Sequence, residues 1–273
     1  MQRILILTLA FALCLSAASV DALAIHSSTT GKGAKTVILV HGWTCDETTW
    51  TSQVPALSKD FRVITLDLPG HGKTGSPKSG KLTMDLFAQA VEAVRAEAKA
   101  DKVVLVGHSM GTPVVVQYAR LFPQHVAGLV FVDGLVGMNP AADPNGTAQQ
   151  AKMMAGPQGR QNREQMIRGM FSASTTPVLQ TKILDMMLAP PESTAVGAMN
   201  ATFDQAIWKQ DTLSMPILGL YADHSGLGNR DYMKTHFPAL EYHEIAATGH
   251  FLMLEKPEEF NRLLSAFLTD TKY

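Results

Sequence analysis

At 273 residues, 46% hydrophobic and with a formal net charge of −1, the chain has the length and apolar content to bury a sizeable core, and it lacks the basic excess that nucleic-acid binding demands. It carries no long charge run, low-complexity tract or internal repeat, which leaves a single soluble domain as the reading.

The N-terminus has its own character. Met1-Gln-Arg3 is a short basic start, Ile4 to Leu15 is an apolar stretch too short to span a bilayer, and Ser16-Ala-Ala18 or Ala22-Leu-Ala24 is a small-residue exit. Residues 1–24 are therefore expected to be a signal peptide, cleaved to begin the mature chain between Ser19 and Ile25 and to deliver it to the periplasm or the exterior with no stable membrane insertion. Cleavage removes Cys14 and leaves Cys45 alone, so no internal disulfide is expected.

Further along, strand-like and helix-like segments alternate. A short strand near Ala24 to Ser28 can pair at a sheet edge and turn back through Gly31-Lys-Gly33. Val37-Ile-Leu-Val-His41-Gly42-Trp43 is an apolar strand, near 36–41, ending in a turn where Gly42 gives room for a carbonyl oxygen and the Trp43 N–H can serve as an oxyanion donor. Strands near 61–67, 102–107, 127–133, 215–221 and 240–245 and helices near 83–99, 110–122, 229–237 and 256–269 complete a βα pattern. It predicts an α/β fold with a mostly parallel sheet covered by helices on both faces.

The junction at Gly107-His108-Ser109-Met110-Gly111 places a serine between glycines where an apolar strand meets a helix. A sharp strand-to-helix turn forces its central residue into strained geometry, so the residues two before and two after must be small. The same turn aims the Met110 N–H and the positive end of the helix dipole at the space above the serine, which makes Ser109 a candidate nucleophile. Near the C-terminus, Ala247-Thr-Gly-His250-Phe251 is a loop histidine leading into an amphipathic helix, and its place after the serine in chain order makes it the candidate base.

These motifs, together with Arg62-Val-Ile-Thr-Leu-Asp-Leu-Pro-Gly-His-Gly72 and Gly128-Leu-Val-Phe-Val-Asp133, resemble the α/β-hydrolase superfamily from about residue 35 to the C-terminus, most weakly between 134 and 212. The resemblance implies a hydrolase core over 25–133 and 213–273 and a small helical cap over 134–212, whose methionines, with Leu135, Phe171 and Trp208, would suit an adaptable apolar acyl pocket. It also implies a serine esterase acting on small to medium acyl esters, with Ser109, His250 and an aspartate as triad and Trp43 and Met110 as oxyanion hole. A lactonase, perhydrolase or carbon–carbon bond hydrolase runs on the same set, and a relative that only binds a small apolar molecule is the alternative of a different class. The acid is open. The family strand usually ends in Gly-x-x-Asp, whereas this chain has Ala222 and Ser225 at those positions, so the candidates are Asp133, after the next strand from the nucleophile, Asp223, two residues early, or no acid at all. No cofactor or metal is implied, because the histidines are scattered without ligand spacing.

Overall fold

The computed structural model describes residues 18–223 and 225–272, so most of the expected signal segment lies outside the described residues. The strands are β1 (Ser19–Val20), β2 (Leu23–Ala24), β3 (Ser27–Thr30), β4 (Thr36–Val40), β5 (Arg62–Leu66), β6 (Val103–His108), β7 (Val126–Val132), β8 (Ile217–Ala222) and β9 (Leu240–Ile245). The helices are α1 (Val54–Leu57), α2 (Met84–Glu97), α3 (Gly111–Leu121), α4 (Pro144–Met153), α5 (Gly159–Arg168), α6 (Pro177–Leu188), α7 (Glu192–Thr202), α8 (Arg230–His236), α9 (Leu252–Glu255) and α10 (Pro257–Asp270).

The main sheet has seven strands in the order β3-β5-β4-β6-β7-β8-β9, all parallel except β3. Its central strands are continuous apolar runs because both faces are covered: every residue of β4, β6, β7 and β8 is buried. The first crossover runs from β4 out to β5, and the chain then returns across β4 to β6. That reversal opens a crevice at the C-terminal ends of the strands, the usual ligand site of such sheets.

Three local readings shift. The edge strand lies at Ser27–Thr30, a few residues beyond the 24–28 read from sequence, and pairs antiparallel with β5 in the register Ser27 to Leu66. Leu23 and Ala24 pair instead with β1 in a separate two-stranded ribbon. The C-terminal helix is preceded by the short α9, because Lys256, at φ −132° and ψ 64°, precedes Pro257 and is held out of helical geometry by the proline ring.

Between β7 and β8 the chain forms α4 to α7. Among the described residues, no helix is long and apolar enough to cross a membrane.

Candidate active site

Ser109 follows β6 at φ +53°, a left-handed conformation that costs a non-glycine residue roughly 1–2 kcal/mol. The turn is held by its neighbours: the Ser109 N–H donates to Val132 O at 3.0 Å, and the Thr112 N–H donates to Ser109 O at 3.0 Å. A Cβ at Gly107 would lie 2.3 Å from Gly111 O, and one at Gly111 would lie 2.5 Å from Val40 O. Both glycines are therefore required by space as well as by the turn. Met110 caps α3, so the unpaired N–H groups of the first helical turn open beside the serine.

Asp133 is the first residue after β7 and also sits at positive φ, +39°. Its N–H donates to Leu220 O at 2.8 Å, and the Ala222 N–H donates to its Oδ1 at 3.2 Å, so β8 fixes both its backbone and its carboxylate. The other oxygen, Oδ2, lies 2.7 Å from Nδ1 of His250. Burial works against the ionised carboxyl, but the His250 hydrogen bond and charge, followed by hydrogen bonds from Ser225 and the Ala222 N–H, hold it below the usual carboxylate range. An ionised acceptor on Nδ1 leaves the proton on that nitrogen and makes Nε2 the basic one.

His250 is held from behind as well. Its N–H donates to Met170 O at 3.1 Å, and its carbonyl oxygen accepts from Nε2 of His108 at 2.9 Å. The two imidazoles stand 4.6 Å apart. Burial, and then the neighbouring His250, push the His108 pKa down to about 3, so His108 is a neutral donor and carries no second charge into the site.

Ser109, Asp133 and His250 border one cavity of about 630 Å³, together with Trp43 and Met110, the expected oxyanion residues. The expected pocket residues divide. Leu135 and Phe171 line this cavity, whereas Trp208 does not: it borders a small cleft of about 30 Å³ with Pro113, Val116 and Arg120, and its indole N–H is committed to Thr202 O at 2.8 Å. The chain after α7 carries that ring to the far side of Leu135, which borders both spaces. Of the methionines between β7 and β8, Met166, Met170 and Met199 line the cavity. Met154 and Met187 are core, and Met153 is half exposed.

Asp223 also borders the cavity, and its Oδ1 accepts the Thr248 N–H at 3.2 Å, which directs that oxygen to the loop before His250. Polar lining residues that sequence reading missed are Gln150, Ser172, Thr202 and Ser225. Only Ser225 had a visible signal, as the occupant of the family's acid position, and its side chain is among the groups that favour the ionised Asp133 carboxyl.

Sequence spacing also hid a cluster away from this cavity, in which ligand atoms of His26, Glu47 and Asp67 lie within 4.8 Å of one another. Glu47 Oε1 is 2.8 Å from His26 Nε2 and accepts from Lys73 Nζ at 3.0 Å, while Asp67 accepts the Glu47 and Lys73 N–H groups. These contacts make it an ion-pair network pinning the segment before β3 to the turn after β5.

Residues 35–257 match a family model described as the alpha/beta hydrolase fold. At 29% identity over 247 residues, the chain is similar to the dihydrolipoyllysine-residue acetyltransferase component of the acetoin cleaving system of Pseudomonas putida, an alignment spanning 87% of this chain and 64% of that protein. It is 36% identical over 131 residues to the pimeloyl-[acyl-carrier protein] methyl ester esterase of Edwardsiella ictaluri (strain 93-146), covering 47% of this chain and 44% of the esterase. The chain thus matches less than two thirds of the length of either curated relative. Among solved structures it resembles a thermophilic esterase from Thermogutta terrifontis, with a TM-score of 0.81, 26% identity, and coverage of 92% of this chain and 95% of that one.

Proposed function

The chain belongs to the alpha/beta hydrolase fold family, and from the site it carries we propose that it is a serine hydrolase cleaving small to medium acyl esters through Ser109, His250 and Asp133. One observation carries this reading: the 2.7 Å contact between Asp133 Oδ2 and His250 Nδ1, on the same cavity that receives a serine held at positive φ. A buried carboxylate on Nδ1 is what a histidine base needs to keep its tautomer and to stabilise the imidazolium it becomes.

In the proposed reaction the Ser109 oxygen attacks the ester carbonyl while His250 Nε2 takes its proton. The N–H groups of Trp43 and Met110 bind the resulting oxyanion. The intermediate collapses to an acyl-serine as His250 returns the proton to the departing alcohol. A water molecule then attacks the acyl-enzyme by the same route, giving the free acid and restoring the serine.

The substrate range rests on the lining. Leu135, Met166, Met170, Phe171, Met199 and Phe203 give an apolar wall that unbranched thioethers can adapt to different chains, and about 630 Å³ is a volume that holds a small or medium acyl ester. The likeness to an esterase of known structure supports the same class.

The test is fluorophosphonate labelling followed by turnover of p-nitrophenyl esters of increasing acyl length. Labelling confined to Ser109, with turnover highest among short and medium chains, is expected. A protein that neither labels nor hydrolyses any ester of the series would instead be a small-molecule binder on a hydrolase scaffold.

A further inference from the structure

The loop that presents His250 is fastened to the connection between α5 and α6 above the cavity as well as to the sheet below it. The His250 N–H donates to Met170 O at 3.1 Å, and the Ser174 hydroxyl donates to Ala247 O at 2.5 Å. Ala247 is itself at φ +52°, a conformation that persists only when its surroundings over-determine it.

Between these direct bonds stands Glu255, at the end of α9. Its Oε2 accepts the Gly249 N–H and, at 3.0 Å, the Ser172 hydroxyl. Its Oε1 accepts the Thr175 hydroxyl at 2.5 Å. The Thr175 oxygen in turn accepts the Ser172 N–H at 2.8 Å. A single carboxylate therefore gathers the residue before His250 and two of the three hydroxyl side chains of the 172–175 turn, Ser172 and Thr175. Met170, Phe171 and Ser172 of that same segment line the cavity.

On the serine-hydrolase reading, we propose that Glu255 is a positioning residue that couples the segment Met170–Thr175 to the His250 loop, so that an acyl chain packed against Met170 and Phe171 sets the reach of the histidine. The physical basis is continuity. Charge-assisted hydrogen bonds are the strong ones, and here they join a wall of the acyl pocket to the base without passing through the sheet. A base displaced by about 1 Å costs on the order of 10²-fold in rate, so a small shift of the segment is felt in kcat. A longer acyl chain, which touches more of that wall, then speeds the chemical step as well as tightening binding.

The experiment compares Thr175→Val, Glu255→Ala, Glu255→Gln and Thr175→Ser with the unsubstituted protein. Thr175 is 2% exposed and is absent from the cavity lining, so Thr175→Val removes one of the two hydroxyl attachments to Glu255, and the acceptor of the Ser172 N–H, without touching substrate. For p-nitrophenyl hexanoate, Thr175→Val and Glu255→Ala are expected to lower kcat about tenfold or more with KM changed less than about threefold, while the acetate ester loses far less. Thr175→Ser, which keeps the hydroxyl, should recover most of the loss, and Glu255→Gln, which keeps one acceptor oxygen but loses the charge and the other, should recover only part of it. Equal losses on both esters, or none, would overturn the coupling. Amide hydrogen exchange over residues 247–252 decides the matter separately from catalysis: faster exchange in Thr175→Val is required, and unchanged exchange sinks the proposal. If the unsubstituted protein hydrolyses none of the esters, the serine-hydrolase reading fails while the exchange result still judges the coupling.

Discussion

Asp133 and His250 meet at 2.7 Å although 117 positions separate them in the chain, and the strand that brings them together belongs to neither residue. β8 pairs with β7 through Val132 and Leu220, so its Ala222 N–H arrives at the Asp133 carboxylate and turns the second oxygen toward the imidazole. The Asp133 carboxylate is thus held by the backbone of the strand whose own end lacks the family's aspartate.

Removal of the nucleophile is the first expectation. Ser109→Ala should leave the circular dichroism spectrum unchanged and lower kcat on p-nitrophenyl butyrate by roughly 10³-fold or more. Activity within about tenfold of the original would refute the role of Ser109.

The acid assignment makes a paired prediction. Asp133→Asn should fold and lose up to about 10⁴-fold in kcat, since an amide on Nδ1 admits the wrong tautomer. Asp223→Asn, which alters a carboxylate directed to the Thr248 N–H, should cost less than about tenfold. Steady-state kinetics of the two variants side by side decide the matter, and the reverse order would assign the acid to Asp223.

Acid should weaken the fold before it protonates the carboxylates. Burial, and then the charge of His41, press the His71 pKa to about 3, the same level as His108. A histidine depressed in the native state binds its proton more readily when unfolded. Its contribution is therefore complete above about pH 6.5 and fades as the pH falls toward 3. Asp133, also depressed, adds to the loss only below about pH 4, in the same direction. Urea unfolding should show stability dropping by roughly 2 kcal/mol per buried histidine between about pH 6.5 and 5, with a smaller drop in His71→Gln. Equal stability at the two pH values would contradict this.

Space around the serine turn sets a further expectation. In Gly107→Ala the new Cβ would lie 2.3 Å from a carbonyl oxygen, and the fold should lose about 1–3 kcal/mol or more. Gly80→Ala is the comparison, because its Cβ meets nothing within 4 Å and only the positive φ of +68° is strained, for about 1 kcal/mol. Thermal unfolding of both variants should rank Gly107→Ala as the less stable, and the opposite ranking would mean that the turn relaxes.

Export is proposed from the leader alone. The basic Met1-Gln-Arg3, the apolar core and the small-residue exit predict a mature N-terminus between Ser19 and Ile25. N-terminal sequencing of protein expressed with its own leader reads the answer directly; an intact Met1 on soluble cytoplasmic protein would count against export.

The sequence by itself determined the parallel sheet, the serine turn and the histidine loop, because each is written in a local run: buried apolar strands, glycines two residues either side of Ser109, and a histidine ahead of an amphipathic helix. It left the acid open between Asp133, Asp223 and no acid at all, since both aspartates sit at the ends of apolar strands and no local pattern tells which carboxylate faces a ring more than twenty residues away. The tertiary structure decided that contact through the pairing of β7 with β8. It likewise sent Trp208 to a separate cleft while Leu135 and Phe171 reached the cavity, because the helices between β7 and β8 show which residues are apolar but not which way the connecting turns carry them. Side chains that meet across long sequence separations answer to packing, and the bonds of Glu255 to Ser172 and Thr175 became visible only when the chain had closed over the site.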